Sequence, residues 1–512
     1  MGLKFIELSM PIAYDEDYLK ATIQKVIKTN NFACNIDLKS LDARKKSNIH
    51  WKLRVLVSSD ALEGGIKDTV EELEIHRIKT KQKVIVVGSG PAGFFAAEIL
   101  QRSGFSVTIL ERGKEVSQRA KDIANFESNG AMPVNSNYVY GEGGAGTFSD
   151  GKLTSRTKSI SSEKKYVVKR YIDAGAPDEI AYLSKPHIGS NNLKKIVKNL
   201  RKDFENTGGK IVFGAEVTCI KKTAGNTWYL DTANGSFEAA LLIFACGHSS
   251  YDTYRMLMKS GVKFIAKPFA MGVRVEHNQR IINKAQWGKE KINGLKAAEY
   301  VLTHKGNDSA VFSFCMCPGG KIVQASPQPG YSIVNGMSSY LRNSEYANSA
   351  IVVSVKPAQL LGKEGSAIEI LEYVENFEKS IYDIKNSFEI PAMRISDFCA
   401  GKGSSGNAET SYSHGIFEYD FNSIFPGIIT ESLKEAFKNF SKKIHGFEEG
   451  IMMGLESKTS SSIQVVRKDN NGSCAGFKNL YVAGECSGYA GGIISSAVDG
   501  IKTAQAIVKE NL

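Results

Sequence analysis

Gly88, Gly90 and Gly93 stand as G-x-G-x-x-G, and Glu111 closes the next apolar run. Glycine at these positions permits a tight turn, backbone approach to a pyrophosphate and close packing of helix on strand. Pro91 suits the first turn of a helix, where its missing N–H costs nothing. A carboxylate at Glu111 can accept from both ribose hydroxyls of an adenosine and would repel a 2′-phosphate. This chemistry is dinucleotide binding, with FAD and NAD both open. A glycine-rich turn of another α/β protein is the competing reading; the strand before, the helix after and the placed acid argue against it.

Redox and acid–base candidates lie elsewhere. Cys315 and Cys317 stand one residue apart. On a strand, period two would put both thiols on one face with Ser313, and Phe312, Phe314 and Met316 on the other. Two thiols facing a cofactor could relay electrons or bind a soft metal, although C-x-C is not the usual dithiol spacing and buried cysteine often only packs. His248, at a strand end, and His187 are candidate general acids or bases, with packing or capping as the plainer role. No H-x-x-x-H or paired C-x-x-C suggests zinc, and no metal is expected. A second G-x-G-x-x-G, at 401–406, has no strand–helix context, since polar residues and Ser413-His414-Gly415 follow, and reads as a loop. With no second Rossmann domain, NAD(P)H could serve only as a transient electron donor.

The elements that must position these residues follow from periodicity and breakers. Residues 83–87 and 106–110 read as buried parallel strands around a helix kept slim by Ala97 and Gly104. Ahead of them, 1–80 predicts strands at 3–8, 32–38 and 49–57 and a helix at 17–27. This β-α-β-β order resembles ferredoxin-like α+β folds. Cys34 is its only cysteine, so it cannot hold an iron–sulfur cluster alone. A glycine-rich loop at 141–153, a helix at 192–206 and strands at 210–213, 215–220, 228–231 and 236–244 follow. From 263 to about 440 the chain turns β-rich (271–275, 311–317, 332–335, 351–355), with a helix at 367–386. A strand at 480–483 and a helix close it. The expected division is 1–80, an α+β module; 82–262 and 445–512, the two parts of one nucleotide-binding domain; and 263–444, a β-rich substrate or cap domain between them.

The chain has 512 residues and a formal net charge of +11. Its cations are scattered, and the densest cluster is Arg44-Lys45-Lys46, so a solvated basic surface is favoured over a nucleic-acid face. Acids by Asp15 and the lack of a long apolar core argue against a signal peptide, and no stretch approaches bilayer length. Eight dispersed cysteines show no disulfide framework. Cytoplasmic residence, no membrane partner and an open oligomeric state are the expectations.

The far end sharpens the ligand. Gly484-Glu485 sit at the carboxyl end of the last strand, and Gly491-Gly492 open a helix whose free N–H groups and partial positive charge could stabilise an anionic reduced ring. This resembles the closing motif of glutathione-reductase-type FAD proteins, which implies that Glu485 holds the ribityl chain and that Gly491, Gly492, Ile493 and Ile494 point at the pyrimidine. Phe244-Ala245-Cys246-Gly247 resembles the middle FAD motif, usually A-T-G, with Cys246 where threonine is common. GEGGAGTFSDGKL (141–153), KPHIGSNNL (185–193), GHSSYDTYRML (247–257), KPFAMGVRVEH (267–277), FCMCPGGKIV (314–323), NGMSSYLRNSEYANSA (335–350), GYAGGIISSAVDG (488–500) and SLDARKK (40–46) extend the likeness over nearly the whole chain. On these runs the chain is identified as a member of the uncharacterised bacterial FAD-dependent dehydrogenase family. The resemblance implies an α/β fold: a discontinuous, Rossmann-like, glutathione-reductase-type FAD domain with a β-rich insert. It implies non-covalent FAD with Ser89, Ala92, Arg112, Val217, Gly247 and Gly484 among its contacts, and Gly146, Thr147, Ser149, Asp150 and Lys152 near the ring or diphosphate. It names no substrate. The leading expectation is hydride transfer between a small molecule and FAD. An RNA-modifying flavoprotein and a non-catalytic electron-transfer protein are the alternatives.

Overall fold

The computed structural model describes residues 2–65, 71–155, 157–223, 225, 227–306, 308–403, 409–468 and 471–512. The N-terminal module is β1 (Gly2–Met10), α1 (Glu16–Ile27), β2 (Ala33–Asp42) and β3 (His50–Ser59), ordered β1–β3–β2 with both pairs antiparallel. Asp15 caps α1 by accepting from the Tyr18 N–H at 2.8 Å. Leu19 and Ile23, one helical turn apart, bury against Val55 and Val57. The edge strand β2 docks on the main body: the Lys39 N–H donates to the Tyr182 carbonyl at 2.7 Å, and the Lys39 carbonyl accepts from the Ser184 N–H at 2.9 Å.

The next unit runs β4 (Lys83–Val87), α2 (Pro91–Ser103), β5 (Ser106–Glu111), α3 (Val116–Asn129), α4 (Ser161–Asp173), α5 (Ser190–Asn206), β6 (Lys210–Phe213), β7 (Val217–Lys222), β8 (Trp228–Thr232), β9 (Gly235–Ala239), β10 (Leu241–Phe244) and α6 (Tyr251–Lys259). The apolar run at 236–244, expected as one strand, is two. β9 belongs to a small antiparallel sheet with β7 and β8, and after Ala240 the chain enters a different sheet as β10.

The insert contributes β11 (Phe264–Ala266), β12 (Phe269–Asn278), α7 (Gln279–Trp287), β13 (Thr303–Lys305), β14 (Ala310–Cys317), β15 (Gly320–Gln324), β16 (Val334–Ser338), β17 (Tyr346–Val355), α8 (Pro357–Leu361), α9 (Ala367–Asp383), β18 (Ile390–Arg394), α10 (Ile395–Ala400), β19 (Ile416–Glu418), α11 (Gly427–Lys443), β20 (Ile451–Glu456) and β21 (Ile463–Val465). Its main sheet has seven strands in the order β13–β14–β17–β12–β20–β18–β19. β20 lies beyond the 444/445 division drawn from sequence, yet pairs with β12 and β18 in this sheet. β21 likewise pairs with β11. In the second G-x-G-x-x-G, Gly401 ends α10 in the left-handed region, and Ser404 to Gly406 lie outside the described residues.

The chain then returns through β22 (Leu480–Val482) and α12 (Ile493–Glu510). The parallel sheet is β22–β10–β4–β5–β6. Its strands read as continuous apolar runs because helices or sheets cover both faces. Val84, Val86, Val107 and Ile109 face α2, α4, α5 and α12. Ile85, Val87, Leu110 and Phe244 face the small sheet and the insert. α2 and α12 approach closely: a Cβ at Gly500 would stand 2.1 Å from the Ala92 carbonyl oxygen. Among the described residues no helix is long and apolar enough to cross a membrane.

Two buried histidines give the fold an acid limit. His187 Nε2 lies 3.0 Å from the Tyr340 carbonyl and His277 Nε2 2.8 Å from the Phe447 carbonyl. Burial pushes both rings down to about 4. Between an ordinary histidine value near 6.5 and this one, the unfolded chain takes up protons that the fold refuses. Their contribution is therefore complete above about pH 6.5 and is lost as pH falls toward 4. Urea unfolding is expected to show stability dropping by a few kcal/mol over this window, with a shallower drop in His277→Gln.

Candidate functional site

The strand order reverses at β4: the chain runs outward through β5 and β6, then places β10 on the other side. Ligands of open α/β sheets bind at such a point, beyond the carboxyl ends of the strands. A cavity of about 820 Å³ opens there and continues to the insert sheet. Gly90 is the N-cap of α2, with Pro91 as the first helical residue. The helix thus presents its free amides to the cavity. Gly93 works beneath it, since a Cβ there would stand 2.0 Å from the Gly88 carbonyl oxygen.

Glu111 is held more firmly than its sequence position suggests. Its Oε2 accepts from the Ser89 N–H (2.9 Å) and hydroxyl (2.6 Å), and its Oε1 from the Gly113 (2.8 Å) and Gly141 (3.1 Å) amides. The carboxylate therefore staples the glycine turn to the glycine-rich loop. The Ser89 hydroxyl is the one donor that can rotate away to admit a ribose hydroxyl. Beyond it, the Arg112 guanidinium lies 4.4 Å from the Tyr140 ring centre and pairs with Glu216 at 3.2 Å. Arg112, Tyr140, Glu216 and Val217 all line the cavity.

At the other end, Glu485 Oε2 lies 2.8 Å from His248 Nδ1, and its Oε1 accepts from the Gly492 N–H at 2.8 Å. Burial pushes this carboxyl up, but the His248 hydrogen bond and charge, with the Gly492 amide, outweigh it and hold it below the usual range. Among the described residues the buried His248 Nε2 has no hydrogen-bond partner, and His248 lines the cavity. Cys246 packs its sulfur 3.1 Å from Cys486 Sγ.

The glycine-rich loop joins the two units. Asp150 pairs with Arg342 through both carboxylate oxygens and with Lys152 at 2.7 Å. The balance of these cations against burial holds its carboxyl far below the usual range. Lys152 reaches the Met316 carbonyl of β14.

Of the residues expected to hold the cofactor, Gly88, Ser89, Gly90, Pro91, Ala92, Glu111, Arg112, Gly146, Ser149, Lys152, Val217, Gly247, Glu485, Gly491, Gly492 and Ile493 line this one cavity, as do His248 and Cys315. Gly93, Thr147, Asp150, Gly484, Ile494 and Cys317 stand behind its wall. Thr147 donates to the Glu142 carbonyl, and the Gly484 N–H donates to Asp499. The alternation expected along 311–317 fails, because one extra residue between Phe314 and Cys317 shifts the register, which leaves Cys315 on the cavity and Cys317 behind its wall. Sequence reasoning missed Tyr140, Lys185, Glu299 and Arg342, which also line the cavity. Their types carry no spacing signal, since long-range pairing alone brings them there.

The cavity fits FAD on three observations. Its volume lies within the range of cofactor sites. Cβ atoms added at Gly247 and Gly492 would meet nothing within 4 Å, so the walls there are bare backbone. The donor set changes along its length from amides at a helix N-terminus to a half-buried His–Glu pair.

Residues 268–459 match the family model described as FAD-dependent protein, C-terminal domain-like, and residues 86–146 match the NAD(P)-binding Rossmann-like domain. The first match spans the insert sheet, including β20. Together they define an FAD-dependent oxidoreductase class with a Rossmann-like domain. An uncharacterized protein of Clostridium beijerinckii is 37% identical over 535 aligned residues, covering 100% of this chain and 99% of its own. The chain belongs to this family of FAD-dependent oxidoreductases. Looser likenesses include the crystal structure of CtdE in complex with FAD (12% identity, 84% of each chain, TM-score 0.36). Another is a flavoprotein/dehydrogenase from Cytophaga hutchinsonii (13% identity, 84% of this chain and 79% of that one, TM-score 0.37). Neither carries an argument about this site.

Proposed function

We propose that the protein is an FAD-dependent dehydrogenase or reductase acting on a small molecule, with NAD(P)H as a transient electron donor. One observation carries this reading. A single cavity joins the glycine turn at Gly88–Gly90 to the insert wall at Phe312–Met316, with the buried, unpartnered Nε2 of His248 between them. FAD bound non-covalently there would supply two-electron chemistry at its ring. The chain's own residues would do the rest. The N-terminus of α2 would take the diphosphate. Glu485 holds His248 through Nδ1, which leaves Nε2 to hold or pass a proton at a substrate atom. The insert sheet would exclude water and select the substrate. The reading supposes cytoplasmic residence and no nucleic-acid or membrane partner. Anaerobic absorbance of FAD-loaded protein, titrated with NADH, NADPH and then a metabolite panel, tests it. Bleaching by one of these is expected; a protein that takes up no FAD ends it.

A further inference from the structure

β14 pairs with β17 residue for residue from Val311 to Phe314, and then the register slips: Phe314 faces Ala350, while Cys317 faces Asn348. One extra residue bulges out, and Cys315 makes the turn at φ 45°. Glycine adopts that left-handed backbone without strain. A larger residue stays there only where its surroundings over-determine it. Two cations do so, one buried and one half-buried. Arg274 donates to the Cys315 carbonyl at 2.7 Å, and Lys152 donates to the next carbonyl, that of Met316.

The same cations reach the cysteine pair: Arg274 Nη2 lies 3.6 Å from Cys317 Sγ, and both act by charge on the Cys315 sulfur. The anions that face it, Asp150 on the glycine-rich loop and Glu456 on β20, are already paired, Asp150 with Arg342 and Lys152 and Glu456 with Arg274. Cys317 is fully buried, with its Sγ 3.3 Å from the Cys315 carbonyl oxygen. A hydrogen bond from Cys317 holds the Cys315 thiol well below the ordinary range, Lys152 and Arg274 add to this, and burial opposes it. The Cys317 thiol is pushed up in turn. Cys315 is half-buried and lines the cavity; Cys317 does not. Thiolates are the nucleophiles of sulfur chemistry, and a neighbouring thiol can displace what the first one captures.

We propose that Cys315 is the attacking thiolate and Cys317 the resolving thiol of a thiol–disulfide exchange site that takes a small-molecule disulfide. This adds a substrate class to the oxidoreductase reading and rests on it for turnover, whereas the exchange itself passes only between sulfurs. Cys315 Sγ attacks one sulfur of R–S–S–R′, forming Cys315–S–S–R and releasing R′S⁻, which takes up a proton. Cys317 gives its proton to solvent and attacks Cys315 Sγ, releasing RS⁻, which is protonated likewise. One substrate disulfide is reduced to two thiols, and the cysteine pair is oxidised to one disulfide.

The full chain loaded with FAD is mixed with dithiodipyridine at about pH 6, where an ordinary thiol of pKa about 8.5 is almost wholly protonated. Two equivalents of pyridinethione in one fast phase are expected, with a peptide joining Cys315 to Cys317. Cys317→Ser should release one equivalent and retain the pyridyl adduct on Cys315. Cys315→Ser should slow the fast phase by about 100-fold or more. Peptide mapping of the wild-type protein decides the matter should a variant not fold. A first adduct on Cys246, which shares the cavity, or an unchanged fast phase in Cys315→Ser overturns the proposal. Exchange at Cys315 in a protein that takes up no FAD supports the exchange site while removing the cofactor reading, so the two fail separately.

Discussion

Arg274→Leu should cost about 3–5 kcal/mol of unfolding free energy, the range for breaking a buried ion pair from one side. Arg274 is fully buried on β12, near the middle of the insert sheet. Its guanidinium donates to Glu456 at 2.8 Å, to Asn348 at 3.0 Å and to the Cys315 carbonyl at 2.7 Å. The absence of a side chain at Gly336 makes room for it, since a Cβ there would stand 2.2 Å from Nη2. Leucine leaves Glu456 buried with no counter-ion and frees the carbonyl that fixes the Cys315 turn. Burial already pushes Glu456 up to about 7 against the pull of Arg274, so in the variant the fold keeps its proton to higher pH still. A raised acid costs stability as pH climbs from the unfolded value near 4.5 through the folded one. Urea titrations of Arg274→Leu should therefore show a steeper loss between about pH 5 and 8 than wild type. Adding Glu456→Leu should recover more than half of the loss, because an apolar pair of similar volume needs no counter-charge. Equal stability of the single and double variants would show that the pair is not the cause.

The second large effect separates fold from cofactor. Gly88 has φ 103°, and a Cβ there would stand 2.5 Å from the Ala245 carbonyl oxygen, backbone that cannot swing aside. Gly88→Val is expected to lose about 2 kcal/mol or more from backbone strain alone, to push β4 away from β10, and to purify without flavin. Gly90 has φ −66°, and its added Cβ would meet only the Gly144 Cα, at 3.8 Å. Gly90→Ala should leave the thermal midpoint within a degree or two of wild type while weakening FAD uptake. Thermal melts beside flavin absorbance distinguish the two. Full flavin content in Gly90→Ala would mean that the diphosphate lies elsewhere.

The stretch 83–113 was legible because its constraints are local. Gly93 answers to the Gly88 carbonyl five residues back, Gly88 to its own positive φ as well as to Ala245 on the neighbouring strand, and the apolar runs answer to burial on both faces. Glu111 was legible only as an acid at the right place. Two of its four donors come from Gly113 and Gly141, and the second lies thirty residues on. The insert was harder to read. Its strands were visible, but β20 was assigned across the wrong division, because a short apolar run does not announce its partner. The C-x-C alternation failed for a related reason: nothing in Phe314-Cys315-Met316-Cys317 signals a bulge, and the residue that makes it is not a glycine. Arg342, Lys185 and Glu299 reach the cavity only through pairings set by the whole sheet.

The parallel sheet has a consequence for how the protein is made. β22 pairs with β10, Leu242 beside Leu480 and Phe244 beside Val482. The whole insert is therefore translated between two neighbouring strands, an interval of roughly 10–50 s at ordinary elongation rates. Throughout that time β10 leaves the ribosome with one flank bare, and Glu485 and the helix that follows it do not yet exist. A nascent chain can close the glycine turn early, but it cannot finish the cavity until residues 485–496 have emerged, so cofactor capture waits on the return of the chain from the insert.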